Sequence, residues 1–397
     1  MAATGAFAQS SVTIYGQADA ALTSAKSGAN SVTGLFGAGR GSNFVGFMGT
    51  EDLGGGLKAN FKLEAQYNLD TGAGSSSNTN NQATGGLTTQ TGAATAPTLN
   101  AAPADRASLA GAQGLTFNRW SYVGLSGGFG EVRLGREYTP TFNAILGADV
   151  VGANGAGNTL NMTLMLAGQS ANLVANGTSA SNGISYETPN TLGGFGVKAQ
   201  LIRGENPNTG TTTTLNAPNA GDGTSVHGYY NNGPLSAGIS ALTVKGTRVA
   251  SDATNGIAGL PGDYKQSASY AKYDFGVALA TLGLVEEKLI TPASASESVN
   301  KSTIFGASVP FGPYKLNANY VTSKYTLGGV DTSKGNQLAL QGMYALSKRT
   351  DLYATYAVTK NTLGKSYGLG NGAGRMVAVS NNEDKSTGIQ IGMRHAF

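Results

Sequence analysis

Cysteine is absent from the 397 residues, which excludes disulfide frameworks, thiolate nucleophiles and thiolate metal sites. Histidine is nearly absent: His227 and His395 lie far apart in the chain, so zinc, haem and Ser-His chemistry are poorly supplied. Charge is sparse as well, at 12% of residues, about half the usual share, beside a modest 40% of hydrophobic residues. That pairing fits neither a large conventional core nor a charged disordered chain. No window holds the roughly 18 consecutive apolar residues of a membrane-spanning helix. This absence does not argue for solubility, since barrel strands need only about 9–11 residues each and alternate in polarity. Present in excess are 60 glycines, with 17 tyrosines and 13 phenylalanines against a single tryptophan. The composition suits a wall one residue thick, half of whose side chains touch lipid and half water.

The periodicity supports such a wall. In Ser386–Phe397, Ile389, Ile391, Met393, His395 and Phe397 fall on one face of an extended strand and Gly388, Gln390, Gly392 and Arg394 on the other. Termini of soluble domains are usually polar and loosely held, whereas a strand closing a transmembrane barrel needs one apolar face. Similar runs recur: Val12–Leu22, Asn43–Thr50, Leu57–Tyr67, Asn118–Ser126, Glu131–Glu137, Gly183–Thr188, Gly196–Arg203, Val226–Asn231, Leu235–Val244, Tyr264–Asp274, Gly276–Glu286, Ser302–Val309, Tyr314–Lys324, Asn336–Leu346, Asp351–Lys360 and the last segment. Sixteen strands, seven short turns and eight long loops predict an all-β, 16-stranded antiparallel transmembrane β-barrel. An even count lets every neighbour pair antiparallel and leaves no open edge in lipid.

Ala6-Phe7-Ala8 has the small-residue pattern of an export cleavage site, so residues 1–8 read as the remnant of a signal peptide and 9–397 as one barrel domain. Asp70–Phe117 is a low-complexity tract expected as a surface loop. The connection Tyr138–Asn182 carries Ile145, Leu146, Val150, Val151, Leu160, Met162, Leu164, Met165 and Leu166, too much apolar surface for a free loop. It is expected to fold into the barrel.

Several runs resemble the general porins of beta-proteobacteria. They are Gly49-Thr50-Glu51-Asp52-Leu53-Gly54-Gly55-Gly56-Leu57-Lys58-Ala59; Asn118-Arg119-Trp120-Ser121-Tyr122-Val123-Gly124-Leu125; Gly127–Arg136; Ser11–Gly16; and Arg394-His395-Ala396-Phe397. The resemblance covers the chain. It implies a trimeric outer-membrane channel for small hydrophilic solutes, with short periplasmic turns, long extracellular loops, an inward third loop, and Phe397 as the signal read by the insertion machinery. One departure stands out: where such porins carry arginine in strand 2, this chain has Phe44.

Parity sorts the charges. Outward Ala59, Phe61, Leu63 and Ala65 leave Lys58, Lys62 and Glu64 inside; outward Trp120 and Tyr122 leave Arg119 and Ser121 inside. The same alternation places Asp19, Lys198, Lys315 and Arg394 in the lumen, because a basic residue facing lipid at mid-depth costs about 2–4 kcal/mol. Strand 5 cannot turn both Arg133 and Arg136 inward without a bulge, and the resemblance favours Arg136. Lys62, Glu64, Arg119, Arg136, Phe44 and Asp149 (the one carboxylate of the third loop) are the expected constriction.

Seven basic residues (Lys58, Lys62, Arg119, Arg136, Lys198, Lys315 and Arg394) thus face two acidic ones, Asp19 and Glu64. Fixed positive charge in a narrow passage enriches anions, which predicts a passive, anion-preferring channel and no enzyme. A substrate-specific channel is the nearer alternative. A surface adhesin would show a repeat of fixed length, which this chain lacks. No cofactor, metal or nucleic-acid partner is expected; the expected partners are a homotrimer, outer-membrane lipids, lipopolysaccharide and the insertion machinery.

Overall fold

Alternating side chains in short runs, punctuated by glycine turns, build one closed sheet. The computed structural model describes residues 11–74, 114–164, 166, 177–205, 219, 221–246, 262–290, 296–364, 367–370 and 385–397. The expected signal remnant at 1–8, residues 75–113 of the long second connection, and Met165 lie outside the described residues. The strands are β1 (Ser11–Ser27), β2 (Asn30–Gly37), β3 (Phe44–Gly54), β4 (Leu57–Gln66), β5 (Trp120–Gly127), β6 (Gly130–Tyr138), β7 (Ser179–Glu187), β8 (Phe195–Ile202) and β9 (Gly223–Asn232). They continue as β10 (Leu235–Val244), β11 (Tyr264–Asp274), β12 (Leu279–Ile290), β13 (Glu297–Phe311), β14 (Tyr314–Leu327), β15 (Val330–Ala345), β16 (Thr350–Leu363) and β17 (Lys385–Ala396).

Seventeen strands make sixteen wall positions. One edge of β1 pairs with β17, from Gln17 opposite Ala396 to Ser27 opposite Ser386. Its other edge is shared: the upper half pairs with β2 and the lower half, Ser11–Gln17, with β3. Strand β2 was not expected from the sequence. Two connections expected to be long are two-residue hairpins instead, Gly28–Ala29 and Gly328–Gly329, because β1 and β14 run higher than anticipated. At the seam, Phe397 N donates to Gly16 O at 3.0 Å and Gly16 N to Phe397 O at 3.1 Å. A side chain at Gly16 would collide with the Phe397 ring, so glycine lets the two backbones meet there.

Between β2 and β3 the wall breaks and residues 38–43 dip inward around a fully buried carboxylate. Asp19 accepts the backbone N–H groups of Gly39 (3.1 Å), Arg40 (3.0 Å) and Gly41 (2.7 Å), and the Tyr353 hydroxyl. Charge-assisted bonds of this kind are worth about 1.5–3 kcal/mol each. Asp19→Ala is therefore expected to lower the temperature at which the folded barrel converts to unfolded chain on an unboiled gel. An unchanged transition would mean the dip is held by other contacts.

The outer face is built for lipid. Exposed Ile239, Leu284, Phe305, Leu316, Leu340 and Ile391 lie on it. Near the short turns, aromatic rings form a girdle: Phe311 with Tyr314 (5.4 Å), Tyr314 with Tyr344 (4.9 Å), Phe195 with Tyr230 and Tyr273 with Phe275 (4.7 Å each).

The described part of the third connection folds inside, as its apolar content required. Thr139 caps α1 (Pro140–Ala148) by accepting from Phe142 N at 3.2 Å, and Pro140 begins the helix, where its missing N–H costs nothing. Ala144, Ile145, Ala148 and Met162 pack on the inward side chains Ala268, Val285, Ile304 and Val321. A methyl at Gly283 would meet Ala148 Cβ, so the bare backbone there lets the helix lie against the wall. After α2 (Leu160–Thr163), Leu166 N reaches Glu287 at 3.2 Å. Inward polar side chains satisfy the loop backbone: Thr281 donates to Ala148 O, Gln341 to Val151 O, Gln337 to Gly157 O and Asn158 O, and Asn300 to Met162 O. Between β16 and β17, residues 367–370 also lie inward, burying Tyr367 and Leu369, with the Tyr367 hydroxyl on Asn300 at 2.9 Å.

Candidate functional site

Residues directly opposite in an antiparallel pair point to one face, so the register carries the inside-outside sorting around the wall. On β4, Lys62 lies opposite Met48 and Tyr122, and Glu64 opposite Gly46 and Trp120. Phe44 lies opposite Gln17 on one side and Gln66 on the other, on that same inner face.

Glu64 is the hub of the first cluster. It receives Lys62 Nζ at 2.8 Å, Arg119 Nε at 2.9 Å and the Tyr15 hydroxyl at 2.8 Å. Arg119 precedes the first residue of β5; its guanidinium carbon lies 4.8 Å from the Phe44 ring centre and 5.4 Å from that of Tyr138. Lys62 Nζ sits 4.3 Å from the Trp120 ring centre and 5.8 Å from that of Tyr15. The expectation that Trp120 and Tyr122 face lipid is overturned, as is that of Ser121 facing inward. The two rings pack over inward cations, while Val123, Leu125 and Leu134 supply the apolar outer surface.

A second cluster surrounds Asp351, which faces inward opposite Arg394. Arg40 Nη1 reaches both its oxygens at 3.1 Å, and Arg394 adds bonds of 2.9 and 2.7 Å. Arg394 also donates to Gln17 at 3.4 Å, and Gln17 to Ser42 O at 2.8 Å, so a polar band runs from β16 through β17 and β1 toward Glu64. The dip between β2 and β3 is what carries Arg40 inside.

The third cluster corrects the reading of strand 5. Arg133, opposite Gly124 and Ser185, faces inward and binds Glu131 (2.6 Å), Glu187 (2.8 Å) and Glu137 (3.1 Å). Lys198 joins Glu187 at 3.1 Å. Arg136 lies opposite Ser121, on the face of Leu134 and Val123, and donates to Asn118 O (2.6 Å) and Ser181 Oγ (2.7 Å). It braces the top of a short wall segment, where the β6–β7 register shifts between Gly135 and Glu137.

Asp149 is consumed within the inner loop. It accepts the N–H groups of Val151 (2.7 Å), Gly152 (3.1 Å) and Ala153 (2.7 Å), together with Thr159 (2.8 Å) and Asn319 (2.6 Å). Lys58 lies opposite Asp52, near a short turn, and is exposed. Lys315 borders a cavity of about 380 Å³ between the inner loop and the lower wall, shared with Leu146, Asp149, Lys272 and Asp274. The ratio of seven bases to two acids does not survive. Arg40 and Arg133 join the inner face, and Glu131, Glu137, Glu187 and Asp351 add to its acids, while Glu287 is buried beneath the inner loop.

Polar wall, apolar exterior and an internal loop describe a water-filled passage, and comparison with known proteins agrees. The Gram-negative porin family matches over residues 1–364. Outer membrane porin protein 32 of Delftia acidovorans is 34% identical over 403 aligned residues, which span 100% of this chain and 97% of that protein. The chain is a Gram-negative porin. Among solved structures, an anion-selective porin from Comamonas acidovorans is 31% identical, with a TM-score of 0.74 over 98% of this chain and 100% of its own. OmpT of Vibrio cholerae, in trimer form, is 15% identical, with a TM-score of 0.63 over 98% of this chain and 99% of its own, and shares the fold alone. Membership makes the porin a passive outer-membrane channel and not an enzyme.

Sequence reasoning missed Arg40, Arg133, Asp351 and the three glutamates on Arg133. The signal for Arg133 was present: turning Trp120 inward turns Arg133 inward with it. Nothing local signals Arg40, whose place depends on a broken wall.

Proposed function

We propose that the porin prefers small anions and works as a homotrimer, with Lys62, Glu64, Arg119 and Phe44 at its constriction and Arg40 and Arg394 continuing the basic surface. The observation carrying this reading is positional. In each of two clusters, two cations share one carboxylate, and that carboxylate lies beneath them. Side-chain exposure is 24% for Lys62 and 14% for Arg119 against 4% for Glu64. It is 18% for Arg40 and 27% for Arg394 against 7% for Asp351. An ion in the passage meets the ammonium and guanidinium groups first, and fixed charge in a confined space enriches its counter-ion. The Comamonas relative, described as anion-selective, supports the same direction.

Lipopolysaccharide fits the upper outer wall, where Lys301 faces Lys324 and Lys324 faces Lys334 across adjacent strands. Each is already paired with a carboxylate, Lys301 with Glu286 (2.9 Å) and Lys324 and Lys334 with Asp331 (3.2 and 2.7 Å), so phosphate groups would add to a row of three cations sharing two acids. Phe397, whose ring is exposed at the seam, suits recognition by the insertion machinery.

The test is the reversal potential of the purified protein in a planar bilayer under a potassium chloride gradient. Anion preference is expected, weakening as salt approaches 1 M, where the Debye length is about 3 Å. A cation preference at low salt would reject the reading.

A further inference from the structure

The cations at the proposed constriction are set among aromatic rings, which a channel for chloride does not need. Tyr15, Phe44, Trp120 and Tyr138 surround Lys62 and Arg119, each cation lying within 6 Å of two ring centres. The rings support one another edge to face, Tyr15 with Phe44 at 5.9 Å and Trp120 with Tyr138 at 5.2 Å. All four are half-buried, and the register turns Tyr15, Phe44 and Trp120 to the inner face. The Glu64 carboxylate takes both cations and the Tyr15 hydroxyl, which leaves positive charge in excess beside apolar ring faces.

The two halves of that surface favour different ions. A small hydrated anion gains from the charge but loses water against the rings without return. A flat anion gains twice: its carboxylate meets Lys62 and Arg119, and its ring packs against Phe44 or Trp120. Aromatic pairs in offset or edge-to-face contact are worth about 0.5–1.5 kcal/mol beyond area burial. Phe44 is the position at which the resemblance places an arginine, so here the chain has ring surface in place of a further charge.

We propose that this cluster is a binding subsite for aromatic carboxylates, the benzoate class, within the passage. The inference rests on the anion-preferring reading above and adds the ligand class.

Single-channel recording in potassium chloride, with benzoate, cyclohexanecarboxylate or acetate added in turn, tests it. Benzoate is expected to reduce or interrupt the chloride current at concentrations roughly three- to tenfold below those needed for acetate, the span set by one aromatic contact. Cyclohexanecarboxylate, which gains apolar burial without the ring contact, should fall between acetate and benzoate. Phe44→Leu should bring benzoate toward the acetate value, and Trp120→Leu should do the same. Phe305→Leu, on the lipid face, should leave the difference as it was.

Equal potency of benzoate and acetate, with chloride preference intact, overturns the subsite and leaves the anion-preferring reading standing. Equal potency of benzoate and cyclohexanecarboxylate also overturns it, since bulk and not ring contact would then be recognised. Preference for potassium over chloride overturns both. Should either variant fail to assemble, the three-acid comparison on the unaltered protein still decides.

Discussion

Exchanging Lys62 and Arg119 together for glutamate reverses the ion preference of the channel. Two cations now share Glu64; the double variant gathers three carboxylates, two of them on β4 and one just before β5. At an effective dielectric constant of about 20, a unit charge about 5 Å from a passing ion contributes roughly 3 kcal/mol before salt screening. Replacing two such charges by their opposites outweighs the positive charge left by Arg40 and Arg394 on Asp351. The reversal potential in dilute potassium chloride should change sign, and the change should fade in concentrated salt. Persisting anion preference would move the selectivity to the Asp351 cluster. Crowded carboxylates also strain the wall, so Lys62→Glu alone provides a milder test, with preference moving toward neutrality.

Removing residues 150–157 should raise the single-channel conductance while the barrel still assembles. That stretch crosses the interior and is fastened by Gln341 on Val151 O, Gln337 on Gly157 O and Gln390 accepting from Ala156 N at 2.7 Å. These wall side chains would find water in a wet lumen, so little is lost by releasing them. The apolar loss is that of Val151 and Ala156, with half-buried Val150, against Ala339, Ala357 and Leu369. A wider passage also holds ions farther from Lys62 and Arg119, so selectivity should decline as conductance rises; at 0.1 M salt fixed charge reaches only about 10 Å. Unchanged conductance in an assembled variant would place the narrowest point elsewhere, with the Tyr367–Leu369 segment the next to test.

Strands were legible wherever one face meets lipid and the other water. β10 and β11 have the bounds that alternation gave them, and β4 sorted correctly because Phe61 and Leu63 interleave with Lys62 and Glu64. The signal vanished above the apolar zone. Glu297–Lys301 and Asp331–Lys334 remain in strands, yet both faces there are mostly polar, with Ser298, Asn300 and Ser333 buried on the inner one, so no hydrophobic period survives. β2 was invisible for a similar reason: its glycines, serine and threonine offer no apolar stripe until Leu35. In β5, aromatic side chains were assigned to lipid by chemistry that fits them equally well to cations. The inner face was therefore legible at Lys62, Glu64 and Phe44, and obscured where rings and charges share it.

The β1–β17 seam also governs how the porin can form. Gln17 and Ala396 are neighbours across it, while almost every other pairing joins strands adjacent in the chain. The hairpins can assemble early from local contacts, but each unfinished sheet keeps two unpaired edges that hydrocarbon does not tolerate. Closure is thus the last event and the one with the longest chain span, where loop entropy is greatest and rates are slowest. Until Phe397 meets Gly16, the chain is an open ribbon prone to pair with its own copies. Its survival depends on being held apart from them until the edges join.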